Sequence, residues 1–125
     1  MNEKNKIMIK AQPFFIAEQS LPENSRYVFA YTITIINVGS IPAKLMHRHW
    51  LITDSNGKIQ EVRGAGVVGE QPYLKPGESF CYTSGAILET PVGIMQGHYS
   101  MHSDDGDDFD AIIPQFTLSI PRILH

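Results

Sequence analysis

Cysteine is almost missing from this chain of 125 residues: the lone Cys81, in Phe80-Cys81-Tyr82, cannot close an intramolecular disulfide, and a domain of this size does not need one. It is expected to be a buried, inert thiol inside a strand. Charge is also scarce. Charged residues make up 18% of the chain, with ten basic side chains against thirteen acidic ones for a net −3. Five of the acids stand together at Asp104, Asp105, Asp107, Asp108 and Asp110. A chain this near neutrality lacks the footprint needed to track a phosphate backbone, which argues against nucleic acid as a partner. No stretch approaches the ~18 apolar residues of a membrane span, so no membrane insertion is expected. The start Met1-Asn2-Glu3-Lys4-Asn5-Lys6 leads into an alternating segment rather than an apolar signal core, and cytoplasmic residence is the expectation. A convincing helical period is missing too.

What is present is alternation. Hydrophobic residues are 42% of the chain, and β-branched and aromatic side chains recur with period two between Gly, Pro, Asn and Asp clusters. About seven strands are predicted, near Lys6 to Ile16, Arg26 to Val38, Ala43 to Thr53, Ile59 to Arg63, Ser79 to Leu88, Met95 to His102 and Phe109 to Ile120. Asn56-Gly57 and Asp105-Gly106 supply the residues that tolerate positive φ in tight hairpins, so the strands flanking each should pair antiparallel. Short antiparallel strands at this spacing predict one all-β domain over residues 1–125, a fibronectin type III or immunoglobulin-like sandwich. Tyr27, Phe29, Tyr31, Ile33 and Ile35 are expected to line its core, with Trp50 on the third strand.

Three constellations could carry chemistry. Gly64-Ala65-Gly66-Val67-Val68-Gly69 matches G-x-G-x-x-G, but Pro72 and Pro76 exclude the helix that a dinucleotide site requires. Two readings stay open: the glycines permit a tight, close-packed loop, or their amides, with Arg63 and Lys75 at the flanks, form a nest for a pyrophosphate or nucleotide anion. His47 and His49 share one strand face, and His98 and His102 share another, which makes them candidate ligands for weak Co2+ or Mg2+ association; no tightly held cofactor is expected. The acidic run lacks the sixth-position glycine of a calcium loop and has Gln115 where the bidentate Glu belongs, so it reads as a solvated turn. Ser84 has neither a strand-to-helix elbow nor a recognisable base. No catalytic set assembles, and a small phosphohydrolase using the glycine loop is the alternative to a noncatalytic module.

A series of motifs in order resembles the ApaG family. It comprises Arg26 through Ile35, Arg48-His49-Trp50-Leu51-Ile52-Thr53-Asp54, Glu61 through Pro72, Pro76-Gly77-Glu78, Tyr82-Thr83-Ser84-Gly85, Thr90-Pro91-Val92-Gly93, Met95-Gln96-Gly97-His98-Tyr99 and Pro114-Gln115-Phe116. The resemblance implies a fibronectin type III-like sandwich. It further implies a domain that recurs in larger eukaryotic proteins, among them F-box proteins and a polymerase-delta-interacting protein, as a protein-interaction module. The bacterial form is associated with cobalt and magnesium resistance or efflux, and by gene neighbourhood with diadenosine tetraphosphate hydrolysis. A chain of this kind cannot itself carry an ion across a membrane, so the implied role runs through a protein partner. Gly64, Gly66 and Gly69 carry the family's glycine motif, for which the resemblance implies nucleotide or pyrophosphate binding.

Overall fold

The structure, a computed structural model, describes residues 4–121. Eight strands follow one another: β1 (Ile7–Phe15), β2 (Tyr27–Asn37), β3 (Ala43–Asp54), β4 (Ile59–Ala65), β5 (Tyr73–Leu74), β6 (Ser79–Leu88), β7 (Val92–Ser103) and β8 (Asp108–Ser119). All pairings are antiparallel. One sheet has the order β1-β2-β6; the other runs β4-β3-β7-β8, with β5 added beside the start of β3. The two pack face to face as the expected fibronectin type III-like sandwich.

The strand count differs from expectation by one. β5 lies within the stretch 64–77 that reads as loop, because two residues are too short to display alternation; its pairing partners, Ala43 and Lys44, are remote in sequence. Gly64 and Ala65, read as the start of that loop, instead complete β4.

Alternation places the core. Phe29, Tyr31, Ile33 and Ile35 of β2 are buried, and Trp50, only 2% exposed, stands among Tyr31, Tyr99 and Phe116 with ring centroids 5.4, 6.3 and 5.9 Å away. The same alternation sends Cys81 outward. Its neighbours Phe80 and Tyr82 face the core, so the thiol is exposed and not the buried group the local sequence led us to expect. Both predicted hairpins form. The Asp54 carboxylate accepts the Asn56 and Lys58 amides, each at 2.9 Å, closing the β3–β4 turn around Gly57. The acidic β7–β8 turn is not left to water alone. Lys4 lies 2.8 Å from Asp105 and 3.4 Å from Asp107, and Asn5 donates to Asp107 at 2.9 Å. Hydrogen bonding from Lys4 holds the Asp105 carboxyl below its usual range.

Candidate functional site: the outer face of the larger sheet and the seat of Arg48

Register turns separate sequence segments into rows of neighbours. On the outer face of the larger sheet, Arg63 (β4) stands opposite His49 (β3), which stands opposite His98 (β7), which stands opposite Ile112 (β8). The adjacent row is Ala65, His47, Ser100 and Asp110; a third brings Lys44, His102 and Asp108 together. His49 and His98 meet edge to face, ring centroids 5.1 Å apart. Nothing in the sequence revealed this adjacency, because His49 and His98 lie almost fifty residues apart.

Each of three histidines has a carboxylate beside it. His49 Nε2 lies 3.0 Å from Glu61 Oε2, His98 Nε2 lies 3.9 Å from Asp110, and His102 Nδ1 lies 2.6 Å from Asp108. Glu61 is also 3.3 Å from Arg63, and hydrogen bonding from His49 and then Arg63 lowers its carboxyl pKa. His47, exposed at the centre, has no such partner among the described residues. Around it lie two shallow depressions. One, of about 540 Å³, is lined by Arg63, Gly64, His47, His49, His98 and Ser100; the other, of about 570 Å³, is lined by His47, Ser100, His102, Asp108 and Asp110 with Met46, Met101 and Phe109. Among the described residues, no three His, Cys, Asp or Glu side chains converge as a metal site would require.

The glycine motif is occupied by the fold's own contacts. Val67 and Glu70 exchange backbone hydrogen bonds of 2.8 and 2.9 Å around Val68 (φ 44°) and Gly69 (φ 80°), so the tip is a two-residue turn with both central residues left-handed. The Gly66 amide donates to the Met46 carbonyl at 2.9 Å, and a Cβ on Gly66 would stand 2.1 Å from the Glu70 oxygen. The Val68 and Gly69 amides have no backbone acceptor among the described residues. Arg63 points to the outer face. Lys75 follows Leu74, which pairs with Ala43, five residues along β3 from Arg48 and roughly 16 Å away. The structure thus brings Arg63 beside the histidines and sets Lys75 apart from Gly64, which pairs with Arg48.

Sequence reasoning passed over Arg48. Lying between His47 and His49, it takes the opposite side of β3 and points into the sandwich. Its guanidinium donates to the carbonyls of Ala65 and Gly66 at 3.1 and 3.0 Å and lies over Gly64, where a Cβ would come within 2.7 to 2.8 Å of it. Gly64 is therefore a seat for Arg48. Above it the Tyr82 and Tyr99 hydroxyls share a buried hydrogen bond, and burial pushes Tyr82 up to about 12 and raises Tyr99 and Tyr31 as well. An arginine at a core-facing position of an alternating strand was the available signal.

The family model described as the ApaG domain matches residues 17–103. The chain is 59% identical over 127 residues to Protein ApaG of Dechloromonas aromatica, covering 100% of both, and 57% identical over 124 residues to Protein ApaG of Aromatoleum aromaticum, covering 99% of this chain and 98% of that one. A crystal structure of a Bordetella pertussis protein superposes with a TM-score of 0.95 at 46% identity, covering 98% of this chain and 100% of that one. A second X-ray structure superposes at 0.90 with 52% identity, covering 98% and 92%.

Proposed function

The chain belongs to the ApaG family, and from that premise we propose that it is a noncatalytic cytoplasmic binding module that acts in Co2+ and Mg2+ homeostasis through a partner protein. The observation that supports this reading is the flat array on the larger sheet. Its histidines and carboxylates are spread across four strands as neighbouring pairs, an arrangement suited to contact with another surface. Among the described residues, no helix is long and apolar enough to cross a membrane. The test is affinity capture of the tagged full chain from its source cells at physiological salt, with partners identified by mass spectrometry. A partner retained by the wild type and lost on His49→Ala plus His98→Ala supports the module; repeated captures retaining nothing specific overturn it.

A second reading rests on the depression that joins Arg63 and Gly64 to His47, His49 and His98. It makes this face a site for a pyrophosphate or nucleotide anion, with phosphate-ester hydrolysis as its catalytic extension. Saturable amide shifts confined to these residues on titrating pyrophosphate, and weakened by salt, favour anion binding; turnover of diadenosine tetraphosphate that vanishes on Asp110→Asn favours hydrolysis. Direct Co2+ association is expected to be no tighter than about tens of micromolar by calorimetry, since His49 and His98 lack a third organised donor.

A further inference from the structure

The smaller sheet ends at β6, an edge strand whose own sequence carries none of the usual blunting devices. Exposed edges usually carry charges, prolines or bulges that keep other strands away. β1 has Lys10 and Pro13, β4 has Glu61 and Arg63, and β8 has Asp108, Asp110 and Pro114 with a register shift against β7. Ser79–Leu88 contains no Asp, Glu, Lys, Arg or Pro, and its register with β2 is unbroken.

Which backbone groups face outward follows from one hydrogen bond and the β2–β6 register. The Val28 carbonyl of β2 accepts the Ile16 amide on the β1 side, so even-numbered residues of β2 bond towards β1 and odd-numbered ones towards β6. Phe29, Tyr31 and Ile33 face Ala86, Ser84 and Tyr82, so the even-numbered residues of β6 complete that ladder. The amides and carbonyls of Cys81, Thr83, Gly85 and Ile87 therefore point away from the sheet. Consistent with this, the Ile87 carbonyl accepts Gln60 Nε2 of β4 at 3.2 Å, the one hydrogen bond to these outward groups among the described residues.

β4 runs past this edge in the other layer. Gln60, Val62 and Gly64 stand opposite the core-facing Ile52, Trp50 and Arg48, and so face inward; Lys58, just before β4, is ion-paired to Glu89, just after β6. The outward groups of β6 and the inward side of β4 thus bound a slot between the two layers. At one end of it Arg48 carries a half-buried positive charge with no carboxylate partner among the described residues, its only bonds going to two neutral carbonyls.

We propose that this slot receives an extended segment of a partner protein, which adds to β6 as a fourth strand, is uncharged along the paired stretch, and places a carboxylate at Arg48. Main-chain pairing would satisfy Cys81, Thr83 and Gly85, while Arg48 selects the acid and sets the register. A second copy pairing through its own Ser79–Leu88 would bring no carboxylate to Arg48 from that strand, which contains neither Asp nor Glu. The proposal rests on the partner-module reading but assigns it a surface distinct from the histidine face.

The probes are acetyl-Thr-Val-Thr-Val-Thr-Glu-amide and its Gln-ended counterpart, titrated into the full chain and followed by amide hydrogen exchange and chemical shift. In the free protein the amides of Cys81, Thr83 and Gly85 should exchange much faster than those of Tyr82 and Ser84. The Glu peptide should slow them, shift the Arg48 Nε resonance, and bind about tenfold more tightly than the Gln peptide. Thr83→Pro, which removes an outward amide and no ladder bond, should weaken binding at least tenfold; the comparison of the two peptides needs no variant and stands if Thr83→Pro misfolds. The proposal is overturned by equal protection of odd and even amides in the free protein, by protection that rises with protein concentration alone (a second copy), by shifts confined to His47, His49 and His98, or by no saturation at about millimolar peptide. Captured partners that bind Thr83→Pro undiminished sink this site and leave the module standing; peptide binding without any cellular partner does the reverse.

Discussion

The two outer faces of the sandwich share one core and differ in almost every group that carries charge. The smaller sheet presents Met8, Lys10, Gln12 and Phe14 on β1, Thr32, Thr34 and Ile36 on β2, and Cys81, Thr83 and Ile87 on β6, with Lys10 the single charge. The larger sheet presents four histidines, Arg63, Glu61, Asp108 and Asp110. A sandwich allows this because its stability resides in the inward residues, and alternate positions are released to face solvent with any chemistry. Proton and ion responses should then belong to one face, and strand pairing to the edge of the other.

The most severe way to break the comparison is to remove what both faces stand on. Trp50→Ala should cost about 3–5 kcal/mol in urea unfolding and lower hydrogen-exchange protection in both sheets together, because the indole contacts residues from each. Loss confined to the larger sheet would show that the faces are more independent than the shared core implies. Gly97→Ala is narrower. Its Cβ would stand 2.0 Å from the His49 carbonyl, between β3 and β7 and beneath the His49–His98 pair, so we expect a loss of about 2–3 kcal/mol with the perturbed shifts concentrated on that pair and little change at β6.

Tyr82→Phe probes the polar centre between the sheets. It strips the buried Tyr99 hydroxyl of its partner and should cost about 1–2 kcal/mol. The sign of the alkaline response follows from burial: the folded pKa of Tyr82 is raised from 10.0 to about 12, so its contribution is complete below pH 10 and declines as pH rises through about 12. Urea midpoints measured from pH 9 to 12 should fall less steeply in Tyr82→Phe than in the wild type.

Glu61→Gln should have the smallest effect and is the sharpest test of where charge matters. Its folded pKa lies below the usual 4.5, held there by His49 and Arg63, so its contribution is present above pH 4.5 and lost as pH falls through the lowered value. Because the group is exposed, solvent and salt screen the pair. The variant should show a slightly shallower loss of stability on acidification, an effect that fades in high salt; an equal change from Lys10→Gln would erase the distinction between the faces.

Local signals carried far along this chain. The Phe29-to-Ile35 alternation and the two hairpins at Asn56-Gly57 and Asp105-Gly106 needed only period and turn chemistry, since each depends on neighbours within a few residues, whereas the central place of Trp50 followed once a sandwich was expected. β5 escaped because its two residues hold no period of their own. Cys81 was misjudged from its apolar neighbours, although the alternation that buries Phe80 and Tyr82 also turns Cys81 outward.

The amino-acid sequence by itself determined that this is an all-β sandwich, which side of β2 is buried, and where its tight turns fall, because those are consequences of side-chain periodicity and backbone preference close along the chain. Only the tertiary structure decided that His49 meets His98, that Gly64 exists to seat Arg48, and that β6 is left as an open edge above β4. Each of these depends on which strands lie side by side and in what register, and that choice is made by burying a whole core at once, across separations of up to fifty residues that no local pattern spans.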